Sequence, residues 1–64
     1  MKFVDAVVKA LDGEFVTCHG WRGGYMFFNG DDGILYQDYS SPTPTEITPR
    51  IAEYWSDRDS WYVL

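Results

Sequence analysis

Between Tyr25 and Tyr36 two apolar runs flank a polar, glycine-containing break: Tyr25-Met26-Phe27-Phe28, then Asn29-Gly30-Asp31-Asp32-Gly33, then Ile34-Leu35-Tyr36. Aromatic and β-branched runs on either side of residues that tolerate a chain reversal predict a β-hairpin. It constrains the rest of the chain, because side chains alternate along a strand and neither face of this ribbon is polar. Met26 and Phe28 share one face, and Tyr25, Phe27 and Asn29 share the other. One face can be covered by a helix. The other must meet the C-terminal segment, a second subunit or a ligand. Residues 25–29 and 34–39 are therefore the expected central strands.

The covering helix is legible at the N-terminus. Phe3, Val4, Val7, Val8 and Leu11 recur at spacings of three and four, with Ala6 and Ala10 filling in and Lys2, Asp5, Lys9 and Asp12 on the other side. Gly13 follows the last periodic residue, where helices commonly close in the left-handed conformation. A helix of about three turns hardly persists alone in water, so this stripe is expected to dock on the sheet. Residues 14–19 read as a first strand, from Phe15, Val16 and Thr17. Trp21-Arg22-Gly23-Gly24 is a loop whose paired glycines allow positive φ and a close approach of the backbone to something else. It reads either as a plain hairpin turn or as the rim of a binding loop.

Residues 40–48 are rich in Ser, Thr and Pro, and the X-Pro steps keep them extended and out of a central strand, so they are expected to cross the surface as a loop. Thr48-Pro49 has the form of an N-cap followed by a first-turn proline, which predicts a short helix over 49–55 with a strand as the alternative. Residues 56–59 read as a turn and residues 60–64 as a terminal strand, Trp61 and Val63 on one face, Tyr62 and Leu64 on the other. The whole is an α+β fold of one domain: an N-terminal helix on a small antiparallel sheet of about four strands, with a possible short second helix.

A chain of 64 residues buries only roughly 60% of the surface its unfolded form exposes, so its stability is marginal unless a disulfide, a metal or a partner subunit is added. Cys18 is the single cysteine, and with His19 it offers two neighbouring ligands at most, so neither a disulfide nor a structural zinc set is expected. Aromatic residues make up 19%, more large apolar surface than one helix and one small sheet readily hide, which points to a homo-oligomer. The net charge of −5 argues against a general grip on DNA or RNA. No run approaches a membrane span and no signal segment is legible, so a cytoplasmic protein is expected.

Catalytic apparatus is not apparent. Cys18 and His19 are adjacent and would point to opposite faces of a strand, so they do not form a nucleophile and base. Asp31 with Asp32, and Asp57 with Asp59, lie at turn tips with nothing visible to split their pKa values. The Asn29–Gly33 turn lacks the alternating ligands and late glutamate of a calcium loop. No phosphate loop is present, and no cofactor is expected. Trp and Tyr in such number belong instead to interfaces and base-stacking pockets.

Phe3-x-x-Ala6 in a helix ending Leu11-x-Gly13, then Val16, the Gly20-Trp21 step with glycines soon after, Tyr25-Met26-Phe27-Phe28, and Asp59-Ser60-Trp61-Tyr62-Val63 follow one another along the chain. This order of features resembles the short phage proteins of the Thoeris anti-defence family, the signal-sequestering type. Thr17, Cys18 and His19 stand where that family tends to carry basic residues. The resemblance implies a small oligomeric α+β protein that binds a cyclic ADP-ribose-type signal without catalysis and keeps it from the host's effector. It implies Trp21 as a pocket wall and Arg22 as a phosphate partner; Tyr25 and Trp61 complete the expected ligand-binding set. The alternative expectation is an acidic protein-binding inhibitor of a host enzyme or defence effector.

Overall fold

Helix α1 spans Phe3–Leu11 and closes as its sequence requires. Gly13 takes φ +97°, its N–H donates to Ala10 O at 3.0 Å, and the Glu14 N–H reaches back to Lys9 O at 3.1 Å, which is the paired hydrogen bonding of a Schellman motif. The computed structural model describes the whole chain, Met1–Leu64. After α1 come β1 (Val16–Cys18), β2 (Tyr25–Asn29), β3 (Gly33–Gln37), β4 (Thr45–Glu46), α2 (Pro49–Trp55) and β5 (Trp61–Val63). The strands form one antiparallel sheet in the order β4-β3-β2-β1-β5. The hairpin is in register as its alternation demands, Met26 opposite Tyr36 and Phe28 opposite Ile34. Its turn is tied by Asn29, whose side chain accepts from the Asp31 N–H at 3.1 Å.

The sheet has one strand more than about four. Thr45 and Glu46 pair with Tyr36 and Leu35, inside the stretch expected to be a crossing loop. Pro42 and Pro44 delay pairing until both are passed, which leaves an edge strand of two residues. Three other strands are shorter than expected, the terminal one covering Trp61–Val63 within residues 60–64. The third ends at Gln37 because the Asp38 carboxylate accepts from the Ser40 N–H and hydroxyl, turning the chain. The first keeps its ladder over Val16–Cys18, bracketed by Leu64 N–H to Phe15 O and His19 N–H to Ser60 O. Residues 49–55 are helical, with the Thr48 hydroxyl accepting from the Ile51 N–H at 3.3 Å and Pro49 in the first turn.

Both helices lie on one face of the sheet. Ala6 and Ala10 of α1 are fully buried with Val16, Cys18, Met26 and Trp61, while Trp55 of α2 packs on Phe3, Tyr36 and Trp61. The helix therefore docks through its alanines, flanked by Phe3 and Val7, and not through the whole aliphatic stripe. Small side chains let it sit close to the sheet, and the rotation this requires leaves Val4, Val8 and Leu11 more than half exposed. The opposite sheet face is not covered by the C-terminal segment. The Ser/Pro stretch crosses its β3 side, where Gln37 donates to Pro42 O at 3.3 Å and Leu35 is buried. Phe15, Tyr25, Phe27, Tyr62 and Leu64 occupy the remainder. Neither helix is long and apolar enough to cross a membrane.

Candidate functional site

Where α2 overhangs the β3 side of the helix-covered face, a cleft of about 430 Å³ opens, within the range of small-molecule sites. Its floor is aromatic. Trp21, Tyr36 and Trp55 pack on one another at tilted or edge-on angles, with ring centroids 5.0 Å apart for Trp21–Trp55, 5.1 Å for Tyr36–Trp55 and 6.3 Å for Trp21–Tyr36. Trp61, 2% exposed, backs this wall against Trp21 and Trp55. Its indole N–H is a buried donor without a hydrogen-bond partner, surrounded by the rings of Phe3, Trp21 and Trp55.

Position Trp21 is set by the loop around it. Its amide donates to Cys18 O at 3.0 Å across Gly20, which has φ +88°. Gly23 turns the chain at φ +71°, and Gly24 then passes under the indole so closely that a β-carbon there would lie 1.9 Å from Trp21 Nε1. The buried Thr17 hydroxyl holds this segment by donating to Gly24 O at 2.6 Å. The paired glycines thus serve a hairpin connection and the seating of a pocket-wall residue together.

The rim of the cleft is cationic. Arg50, Tyr54 and Arg58 stand at successive steps of four, and Ile51 and Trp55 form the adjacent row, so α2 presents rings inward with a guanidinium at either end. Arg58 lies just past the helix, where its N–H donates to Trp55 O at 3.1 Å and keeps it on the same line. Asp38 is the one carboxylate of the lining, and it accepts from Ser40. None of the side-chain hydrogen bonds uses Arg50 or Arg58. Tyr54 is 72% exposed and packs on no other ring, so its face is open to stacking.

Of the four residues expected to bind ligand, Trp21 lines the cleft and Trp61 stands behind it. Arg22 is exposed and outside the cleft. Tyr25 points to the other sheet face, because it alternates with the buried Met26; there it packs edge-on to Phe15 at 5.5 Å and donates to Gln37 Oε1 at 3.1 Å. Arg50, Tyr54 and Arg58 were not legible while residues 49–55 could be read as either helix or strand. Their i, i+4, i+8 spacing was the available signal, and it has meaning only on a helix.

Cys18 and His19 point apart, as successive strand residues do. The Cys18 thiol is buried within 3.2 Å of the Ser60 hydroxyl, and the His19 ring lies 4.7 Å from that of Tyr62 on the opposite face. The cleft lining contains aromatic rings, guanidinium groups and one carboxylate, a set suited to holding a flat anion. No protein-family model, curated protein or solved structure matches the chain.

Proposed function

We propose that the protein binds and sequesters, without catalysis, a small cyclic nucleotide of the cyclic ADP-ribose type, acting in the host cytoplasm as a phage-type anti-defence protein. One observation carries this reading. In a chain of net charge −5, two of its three arginines flank a single aromatic cleft of small-molecule size. A nucleotide needs that pair of features, a ring face for its base and guanidinium donors for its phosphates. The resemblance to the signal-sequestering family supports the same reading. The residues differ from those first expected, since Arg50 and Arg58 take the role that Arg22 was given.

The test is a thermal-shift and calorimetric screen of cyclic ADP-ribose isomers and cyclic dinucleotides. A ligand present at a hundred times its Kd stabilises the fold by about 2.7 kcal/mol. Both arginines are exposed, so Arg50→Ala and Arg58→Ala should leave the fold intact while each weakens binding by roughly tenfold to a hundredfold, the worth of a charge-assisted hydrogen bond. Arg22→Ala should leave affinity unchanged. Absence of binding by every nucleotide tested would remove the proposal.

A second reading, an acidic inhibitor that docks on a host enzyme or effector, draws on a different surface. Val4, Val8 and Leu11 form an exposed aliphatic stripe on α1, 53% to 64% accessible. Such a stripe suits a groove on a partner protein. Loss of target inhibition in Val4→Glu or Val8→Glu, with no nucleotide binding by the wild type, would favour it.

A further inference from the structure

The helix-free face of the sheet is apolar and partly open over β1, β2 and β5, and its one charged side chain, Glu46 opposite Leu35, stands at the far β4 edge. Phe15, Tyr62 and Leu64 on it are 52%, 40% and 66% exposed, and Tyr25 and Phe27 stand half-buried between them. Phe15 packs on both Tyr25 and Phe27, and with Tyr25 and Leu64 it surrounds a shallow apolar hollow. Taking a ring side chain at about 200 Å², these five leave on the order of 400 Å² accessible, the scale at which an apolar patch marks an interaction site. It is about half of one side of a standard interface.

Charge identifies what covers it. Strands β1, β2, β3 and β5 contain no Asp, Glu, Lys or Arg, and Glu46 of β4 is the only charged residue in the sheet. The remaining nine acids sit on helices, turns and loops. Two copies of a −5 molecule meeting through those regions bring carboxylate against carboxylate. Through the bare sheet face they do not. A partner with a charged binding surface would find no counter-charge on the patch over β1, β2 and β5, whereas a second copy of this chain offers an aromatic patch equally free of charged side chains. We propose that two copies dock through these faces, sheet on sheet across a twofold axis, burying Phe15, Tyr25, Phe27, Tyr62 and Leu64 of each. The geometry is that of packed sheets about 10 Å apart, with the helices outermost.

The cleft lies on the helix side, so each copy keeps its own cleft facing outward. Assembly and ligand binding are therefore separate properties of the two sheet faces. An interface of this size is of the weak class, so the dimer should form over micromolar concentrations.

Sedimentation velocity of the full chain from about 5 to about 500 µM tests this. The expected result is a rise in mean mass from 7.4 kDa toward twice that value. The double variant Tyr62→Lys, Leu64→Lys, which sets like charges across the axis at two exposed positions, should stay at the monomer mass throughout with an unchanged circular dichroism spectrum. Val8→Glu on α1 should dimerise like the wild type. Should the double variant fail to fold, amide and methyl shifts of the wild type followed over the same dilution decide the matter: changes should gather on β1, β2 and β5 and spare Val4, Val8 and Leu11. A wild type monomeric at the highest concentration, a dimer persisting in the folded double variant, or concentration-dependent shifts confined to α1 would each overturn the proposal. A nucleotide shift retained by the double variant separates the fate of this interface from that of the cleft.

Discussion

At Gly24 one added methyl group would collide with an indole. Trp21 cannot move away without disturbing Trp55 and Trp61, which pack on its other sides. Gly24→Ala should therefore destabilise the fold by about 1 to 3 kcal/mol, the usual cost of overpacking, read from denaturant unfolding followed by tryptophan fluorescence. Gly30→Ala is the matched control, since a β-carbon there meets nothing within 4 Å and the backbone is not left-handed; its effect should stay within about 0.5 kcal/mol. A close approach at Gly23-Gly24 was legible from the paired glycines. What they approach was not, because Trp21 precedes them by only two residues and the packing depends on rings from α2 and β5. Trp61 shows the same limit. Its alternation with Tyr62 assigned its face, but only the full set of neighbouring rings makes it the backing of the wall, with its N–H left unpartnered.

Helix α2 is the element on which the cleft depends, and none of its residues is fully buried. A seven-residue helix with so little burial relies on its cap. Thr48→Ala should cost about 1 kcal/mol, expressed as faster amide exchange over Pro49–Trp55. Because Arg50, Tyr54 and Arg58 are aligned by that helix, the same change should weaken the proposed nucleotide binding although Thr48 does not itself line the cleft. Helix α1 presents the opposite case. Its apolar stripe was legible as a whole, yet only the side with Ala6 and Ala10 meets the sheet, since a wide aliphatic stripe allows several rotations and close packing selects the one with the smallest side chains. Val8→Glu should accordingly change stability by no more than about 0.5 kcal/mol in thermal unfolding.

At the scale of the molecule, nine of 64 residues are buried, and the apolar surface left over includes two separate patches, the sheet face and the α1 stripe, with Tyr39 and Tyr54 exposed outside both. A net charge of −5 on each copy opposes association, and none of the five side chains of the proposed seam is charged. Raising salt from about 20 to about 200 mM shortens the screening length from roughly 20 Å to below 10 Å. Dimer formation should therefore tighten with salt, and sedimentation at the two concentrations checks the direction. A seam built on ion pairs would weaken instead.

By itself the sequence determined the local elements: the hairpin from its alternating rings and its Asn-Gly-Asp-Asp-Gly break, the first helix from its period and Gly13, the second from Thr48-Pro49 once helix is chosen over strand, and the excess of apolar surface from the aromatic content. These depend on residues within a few positions of one another. The tertiary structure alone decided that both helices share one face, that α1 docks through its alanines, and that Arg50 and Arg58 meet Trp21 around one cleft while Arg22 and Tyr25 lie elsewhere. Those outcomes depend on packing between segments tens of residues apart, where side-chain volume and strand order select among arrangements that local patterns leave equally open.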